Sequence, residues 1–440
     1  MIETVPTRAG EAVRVDESWG VGTKRDFAVT AATTAVIAVS SVAAYWIIGT
    51  LGSDETFARY ALGRRIIAAG VPLMLLGLGT AVPRSVAILS AGQRDDAQAA
   101  LSGALISVLV LAALGVTATG LFRDRLAELL YADGSAQYLV VVTSMLAATL
   151  ALQGVCYGYL RGRMRFLAAN VYALCVFVVA QLGSIFVGRG DVAAVFGLYA
   201  AGTLAVTIVA IGSDTKWLMF RAGFTARSWT AASGLLRYGI PRVPGDAAFG
   251  FLMAAPSVAA GHLIGLEAAG ALAFGTTLIT MVGTAASPVS MMLLPHAARS
   301  LNARGIVRLR KLVTPLMRWG MYACVCVSVA GALVAPQLLK FFAGENFGGW
   351  ALAVAIVSAG AGPFLYHVFL RSVVDAAYTR PLNAYATYVA MAGGTVVAFG
   401  TSFTLTPVVA IAVGHVAGMI LLACASRVLV GAALAKGTLS

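Results

Sequence analysis

The chain has 440 residues, 60% of them hydrophobic and 11% charged, with a mean hydropathy of +0.88 and a formal net charge of +13. An average soluble domain is closer to half apolar and a quarter charged, so this composition excludes a disordered or collagen-like chain and argues strongly against a soluble enzyme. The apolar runs are long and unbroken, which fits membrane helices and not the alternating segments of about 10 residues that build a membrane β-barrel.

Taken in order, the first 26 residues are polar and mix Glu3, Glu11, Asp16 and Glu17 with basic side chains. That stretch is too long and too acidic for the n-region of a cleaved signal. Twelve apolar spans come after it, at 27–51, 66–89, 101–122, 137–160, 166–187, 192–212, 239–264, 268–295, 315–339, 348–370, 382–402 and 405–430. The expected organisation is a segment 1–26, a first lobe of helices 1–6 at 27–212, a connecting segment 213–238, a second lobe of helices 7–12 at 239–430 and a tail 431–440. The fold class expected is an all-α polytopic membrane protein, with twelve transmembrane helices in two pseudo-symmetric six-helix lobes. With 48 glycines, helix backbones can approach closely where hydrophobicity cannot drive association.

Lysine and arginine alternate between connections. With the N-terminus placed in the cytoplasm, 21 fall on the inner side and 7 on the outer side, and Arg84, Arg242 and Arg318 fall in or at the ends of spans. This asymmetry predicts both termini inside a multi-pass plasma or inner membrane protein. It also accounts for a charge that in a soluble protein would suggest nucleic acid. The connection 213–238 interleaves Lys216, Trp217, Phe220, Arg221, Phe224, Arg227 and Trp229, as expected of a segment lying on the inner membrane surface. The hairpin Leu51-Gly52-Ser53-Asp54 with Tyr60-Ala61-Leu62-Gly63 is answered by Ile264-Gly265-Leu266-Glu267 with Ala273-Phe274-Gly275. Such a parallel repeat is common in transporters, whose substrate path runs at the interface of the halves.

Intramembrane charges are the first candidates for function, because each costs about 2.5–3.5 kcal/mol on insertion scales. Arg242 and Asp246 stand four apart in the Pro- and Gly-rich entry Tyr238-Gly239-Ile240-Pro241-Arg242-Val243-Pro244-Gly245-Asp246. They could line a substrate cavity, or Arg242 could snorkel to the headgroups with Asp246 as its partner. Arg84 near the end of span two and Arg318 in the first turn of span nine are snorkelling residues by default. Arg64 and Arg65 are expected at the outer mouth of span two, with Asp54 and Glu55 as available partners; adjacent residues diverge by about 100°, so one of them at most faces a cavity. His262, His296, His367 and His415 lie in spans without relay spacing, and packing roles are expected. Gln153, Asn170 and Gln181 suit interhelical hydrogen bonds. The five cysteines show neither a disulfide framework nor a metal-ligand pattern and read as small hydrophobes.

No phosphate-binding Gly-x-x-x-x-Gly-Lys-Ser/Thr loop is present, no carboxylate pair sits on a long outer loop and no His/Cys/acid cluster has metal spacing. Neither an enzyme nor a cofactor is expected. Energy would come from an ion gradient, the membrane potential or consumption of product.

The chain resembles the lipid-linked oligosaccharide flippases, the O-antigen and exopolysaccharide repeat-unit translocases of the multidrug, oligosaccharidyl-lipid and polysaccharide exporter superfamily. The resemblance runs from about residue 26 to 430. It rests on Leu51-Gly52, Tyr60-Ala61, Gly77-Leu78-Gly79-Thr80-Ala81 with Arg84, Leu235-Leu236-Arg237-Tyr238-Gly239-Ile240-Pro241, Pro295 before Ala303-Arg304-Gly305 to Arg310-Lys311, and Thr379-Arg380-Pro381-Leu382-Asn383. It implies two six-helix lobes in a V around a central cavity, alternating access, and a polyprenyl-diphosphate carrying a short glycan as substrate. The product would be O-antigen, capsule, exopolysaccharide or a wall polymer. Glycosyltransferases and a polysaccharide polymerase are possible partners alongside membrane lipid, and nucleic acid is not. A cationic cavity is implied as well, with Arg242 as first candidate, Asp246 beside it, and Arg64, Arg65, Arg84 and Arg318 below. The family usually has an apolar residue where Arg242 stands. A cation-coupled multidrug exporter of the same superfamily is the alternative, and a membrane glycan polymerase or a non-transporting scaffold is a further one.

Overall fold

A computed structural model describes residues 21–89, 94–215, 226–302, 306–378 and 381–436. Among these residues the chain is helical, with no strand. The first lobe comprises α1 (Val21–Leu51), α2 (Asp54–Leu75), α3 (Leu78–Leu89), α4 (Arg94–Leu121), α5 (Arg123–Tyr131), α6 (Gln137–Gly162), α7 (Phe166–Leu174), α8 (Gln181–Gly188) and α9 (Val192–Thr215). A π-helical turn, Cys175–Ala180, joins α7 to α8 without breaking the span. Then α10 (Ala226–Gly239) and a 3₁₀ turn, Ile240–Arg242, lead to the second lobe. That lobe comprises α11 (Val243–Leu263), α12 (Leu266–Asn302), α13 (Ile306–Ala343), a 3₁₀ segment Glu345–Trp350, α14 (Ala351–Ala359), α15 (Ala361–Ala377), α16 (Leu382–Thr401) and α17 (Pro407–Lys436).

Eleven helical segments are long and apolar enough to cross a membrane, and the pair Asp54–Leu75 and Leu78–Val86, bent by 50°, makes a twelfth. The spans keep the order read from hydropathy. Span two differs: it begins at Asp54, a dozen residues ahead of the expected start. The polar run through Arg59, Arg64 and Arg65 hid those turns from hydropathy, yet they are helical and mostly buried. Ser53 caps α2 by accepting from the Thr56 amide at 3.3 Å, and Asp54 and Glu55 in the first turn suit the positive end of the helix dipole. The bend falls at Leu76 and Gly77, both left-handed at φ 47° and 71°. Gly77 has a second constraint: a Cβ there would stand 2.4 Å from the Gly239 carbonyl oxygen.

Small residues set the spacing between helices. A Cβ on Gly394 of α16 would meet the Gly414 carbonyl of α17 at 2.7 Å and the Gly418 Cα at 3.3 Å. Close backbone approach of this kind substitutes van der Waals packing for the hydrophobic effect that lipid does not supply. Large apolar side chains cover the outside of the bundle, among them Leu121, Val209, Val396 and Phe403. Of the five cysteines, Cys156 alone is buried, while Cys326 and Cys424 are exposed on this apolar surface and are not the buried hydrophobes expected.

Two ends of the molecule can be told apart. The turns Gly52–Ser53 and Ile264–Gly265 mark the hairpin end. The last residues of α9 and the first of α10 mark the connector end. The amphipathic α10 packs on α3 and α4 of the first lobe: a Cβ on Gly103 of α4 would lie 2.5 Å from the Ser228 carbonyl oxygen.

Candidate functional site

The lobes meet chiefly where α2 lies along α11 and α12. Small residues allow it. A Cβ on Gly270 would stand 2.5 Å from the Ala58 Cα, and one on Gly250 2.9 Å from the Ala69 Cα. Toward the hairpin end an aromatic cluster closes the seam. Tyr45 packs edge-on to Phe57, Tyr60 and Phe274 at 5.3–5.9 Å between centroids, Phe57 meets Phe347 at 5.3 Å, and Phe274 meets Phe342 at 5.7 Å. Edge-to-face pairs of this kind add about 0.5–1.5 kcal/mol each beyond area burial. Polar bonds cross the same region. Tyr45 and Thr277 share a 2.9 Å hydroxyl bond, Asn346 Nδ2 donates to Asp54 at 2.8 Å, and His262 Nε2 lies 2.8 Å from the Leu129 carbonyl oxygen. The hairpin end is therefore sealed.

Arg64 and Arg65 sit inside α2 and not at an outer mouth. Their partners are not Asp54 and Glu55: Glu55 pairs with Arg59 at 2.7 Å, and Arg59 also holds Asp133 at 2.8 Å. The two arginines diverge as adjacent helical residues must. Arg65, 5% exposed, points across the seam and donates to the Thr276 carbonyl at 3.4 Å and the Thr280 hydroxyl at 3.3 Å. Arg64 points into the first lobe, among Tyr60, Tyr199 and Tyr45.

Arg84 and Arg242 come together at the connector end. Tyr238 lies between them, with the Arg242 guanidinium 3.8 Å and the Arg84 guanidinium 4.8 Å from its ring centroid. Arg242 also donates to the Tyr238 carbonyl oxygen at 2.7 Å. Asp246 is not its ion-pair partner. That carboxylate faces Arg371 of α15 at 3.8 Å, and Arg371 in turn faces Asp375 at 3.6 Å. The four-residue spacing allows an Arg242–Asp246 pair, but the guanidinium lies over the Tyr238 ring instead. Arg318 is exposed beside Trp319 and Tyr322, and the structure does not bring it to the other candidates.

An apolar cleft of about 550 Å³ opens between the lobes, walled by α2, α4, α5 and α6 on one side and α11 on the other, with Leu73, Met74, Leu130, Phe251 and Val258 among its lining. The resemblance implies a cavity between the lobes, but none of the residues lining this cleft stands out in the sequence, because its walls are ordinary apolar positions on five helices.

The remaining polar candidates have mixed fates. Asn170 donates to Thr30 at 3.1 Å, and His367 Nδ1 lies 2.7 Å from the Ser426 hydroxyl while its ring stacks on Phe364. Both are interhelical bonds of the kind expected. The side chain of His296 falls outside the described residues, as do those of Lys216, Trp217, Phe220, Arg221 and Phe224. No group of His, Cys, Asp and Glu that could hold a metal ion occurs among the described residues.

These features define a class: a polytopic two-lobe membrane protein with a seam that is sealed at one end. No family model matches the chain, and no curated protein matches it in sequence. Solved structures do match its fold. An inward-facing multidrug resistance MATE family transporter of the MOP superfamily superposes with a TM-score of 0.72 at 16% identity, over 93% of this chain and 99% of that one. The eukaryotic MATE transporter AtDTX14 gives 0.66 at 14% identity, over 94% and 96%. A MOP superfamily transporter from Pyrococcus furiosus, described by the reverse polarity of its binding pocket, gives 0.64 at 16% identity, over 94% and 96%. Over at least nine-tenths of its length the chain has the fold of the MATE transporters.

Proposed function

We propose that the protein is an alternating-access membrane exporter of amphipathic molecules. The observation that carries this reading is the likeness, over nearly the whole of both chains, to a multidrug transporter solved facing inward. The sealed hairpin end and the apolar interlobe cleft support it. A substrate would lay its apolar part in the cleft and its polar part toward the arginines of the seam, Arg65 first, with Arg84 and Arg242 at the connector end. With both termini cytoplasmic, that end faces the cytoplasm, and export runs toward the hairpin end.

Cation coupling through a lobe carboxylate has little support here. Among the described residues no acidic group acts electrostatically on Arg64 or Arg65, and Asp246 is engaged with Arg371. This polarity favours substrates that carry negative charge, which the membrane potential drives outward with about 2.3 kcal/mol per charge per 100 mV. The same observation keeps a second reading in play: flipping of a polyprenyl-diphosphate-linked glycan, whose tail suits the cleft and whose diphosphate suits guanidinium groups.

The test is efflux of fluorescent amphiphiles, anionic and cationic, from cells lacking their own exporters. Efflux of anionic probes is expected, and Arg65→Gln should slow it roughly tenfold at unchanged protein level. If no probe is exported while vesicles containing the protein translocate a polyprenyl-diphosphate glycan, the exporter reading is wrong and the flippase reading replaces it.

A further inference from the structure

The guanidinium of Arg64 lies inside the first lobe, away from the seam. Its electrostatic neighbours among the described residues are Tyr60, Tyr199 and Tyr45, none of them a carboxylate. Arg65, the next residue, carries a second buried positive charge that acts on the first. A buried cation beside a half-buried one, with no counter-charge acting on either among the described residues, is costly, because lost hydration goes uncompensated.

The groups around Arg64 have hydrogen-bonding capacity to spare. Tyr60, Tyr199 and Gln181 are each 1% exposed. The Tyr199 hydroxyl lies beside Arg64 and the Tyr60 hydroxyl beside the Gln181 amide. Neither pair closes a hydrogen bond of ordinary geometry: both hydroxyls and both ends of the Gln181 amide are without partners among the described residues. Buried polar groups are satisfied in the great majority of cases, so the unpartnered Tyr199 hydroxyl beside Arg64, and the unpartnered Tyr60 and Gln181 pair next to it, leave room for a ligand that all of them could reach. Arg64 itself is only half-buried, whereas Tyr60, Tyr199 and Gln181 are buried.

Local structure supports a built site. Gln181 comes directly after the π-helical turn Cys175–Ala180, and such turns recur at functional sites because the extra residue re-aims the side chains beyond it. The turn is held from α1, where Ser40 donates to the Phe177 carbonyl at 3.3 Å. Tyr60 is fixed against Phe196 at 5.5 Å.

We propose that the first lobe binds a small monovalent anion of the halide class at Arg64, with the hydroxyls of Tyr60 and Tyr199 and the amide nitrogen of Gln181 donating to it. All four groups can donate, and among the described residues no carboxylate acts on Arg64 to repel the ligand. The site is argued from Arg64 and its neighbours alone, so it stands whether or not the export reading holds. A bound anion also screens Arg64 from Arg65, whose bonds to Thr276 and Thr280 close the lobe seam one residue away.

The experiment uses the purified full chain in detergent, with chloride as the probe. Binding is read by radioactive chloride in a scintillation proximity assay and by melting temperature in chloride, bromide, nitrate and gluconate at constant ionic strength. Saturable binding is expected, with melting raised by chloride and bromide and not by gluconate. Arg64→Gln should abolish both effects. Tyr199→Phe and Gln181→Leu should weaken binding roughly tenfold, the loss of a hydrogen bond to a charged group, and the surface change Arg123→Gln should leave it unaltered. Arg64→Gln removes an uncompensated charge, so in gluconate it should melt no lower than the unaltered protein. Absence of halide-specific stabilisation, or its persistence in Arg64→Gln, would overturn the proposal. If Arg64→Gln does not fold, halide binding undiminished in both Tyr199→Phe and Gln181→Leu would overturn it equally.

Discussion

Single side chains show how much a neighbour decides. Gly63 has no room for even one more carbon: a Cβ would stand 2.4 Å from the Phe196 ring and 2.9 Å from the Tyr131 hydroxyl. Gly63→Val should destabilise the first lobe by about 1–3 kcal/mol through overpacking, read as a lower melting temperature in detergent. Asp133 lies outside the spans, in the turn between α5 and α6. The Ser135 hydroxyl first, then the Ser135 amide and the Arg59 guanidinium, hold its carboxyl below the usual carboxylate range. A carboxyl depressed by folding stabilises the folded state fully above its unfolded value, and that stability is lost as pH falls through its folded value. Melting temperature should therefore drop on acidification below about pH 4, and Asp133→Asn should flatten that part of the profile. An unchanged slope in Asp133→Asn would place the acid sensitivity elsewhere.

At the scale of elements, the connector helix is the informative case. Interleaved aromatics and cations lead one to expect 213–238 on the membrane surface, and α10, the described part of it, is an amphipathic helix. Its docking on α3 and α4 was not legible, because it depends on Gly103 leaving space for Ser228 and Ala232 across three intervening spans. Tyr238 at its end lies between Arg84 and Arg242, two cation–π contacts worth about 0.5–1 kcal/mol each where exposed. Tyr238→Leu should loosen the connector end, seen as faster protease cleavage near α10 with the spans still protected. The sealed hairpin end can be probed likewise. Gly270→Leu drives a side chain into the Ala58 backbone, and it should lower cross-linking between cysteines introduced at Asp54 and Asn346, which touch in the sealed state. Undiminished cross-linking would mean that α2 and α12 part without unsealing the end.

For the whole molecule the open matter is direction. The charge count predicts that the connector end lies in the cytoplasm, where an exporter would load. A cysteine at Ser53 should then react with an impermeant thiol reagent added outside intact cells, and one at Asn302 should react only after permeabilisation. The reverse result would invert the assigned path of export. Of the candidate site, the arginines were legible as anomalies, since an ionised group in lipid has to be explained. Their roles were not. Arg64 and Arg65 are neighbours in sequence and serve different lobes, and Asp246 and Arg371 meet only because α11 and α15 do.

The residues determined the crossing pattern unaided: twelve apolar spans, in order, in a chain that must be helical because lipid satisfies no backbone hydrogen bond. That pattern rests on local transfer energies, which each segment carries with it. The tertiary structure alone decided which arginine faces the seam, which lies within a lobe without a carboxylate beside it, and which end is closed. Those outcomes depend on contacts between helices far apart in the chain, and no local pattern encodes the partner.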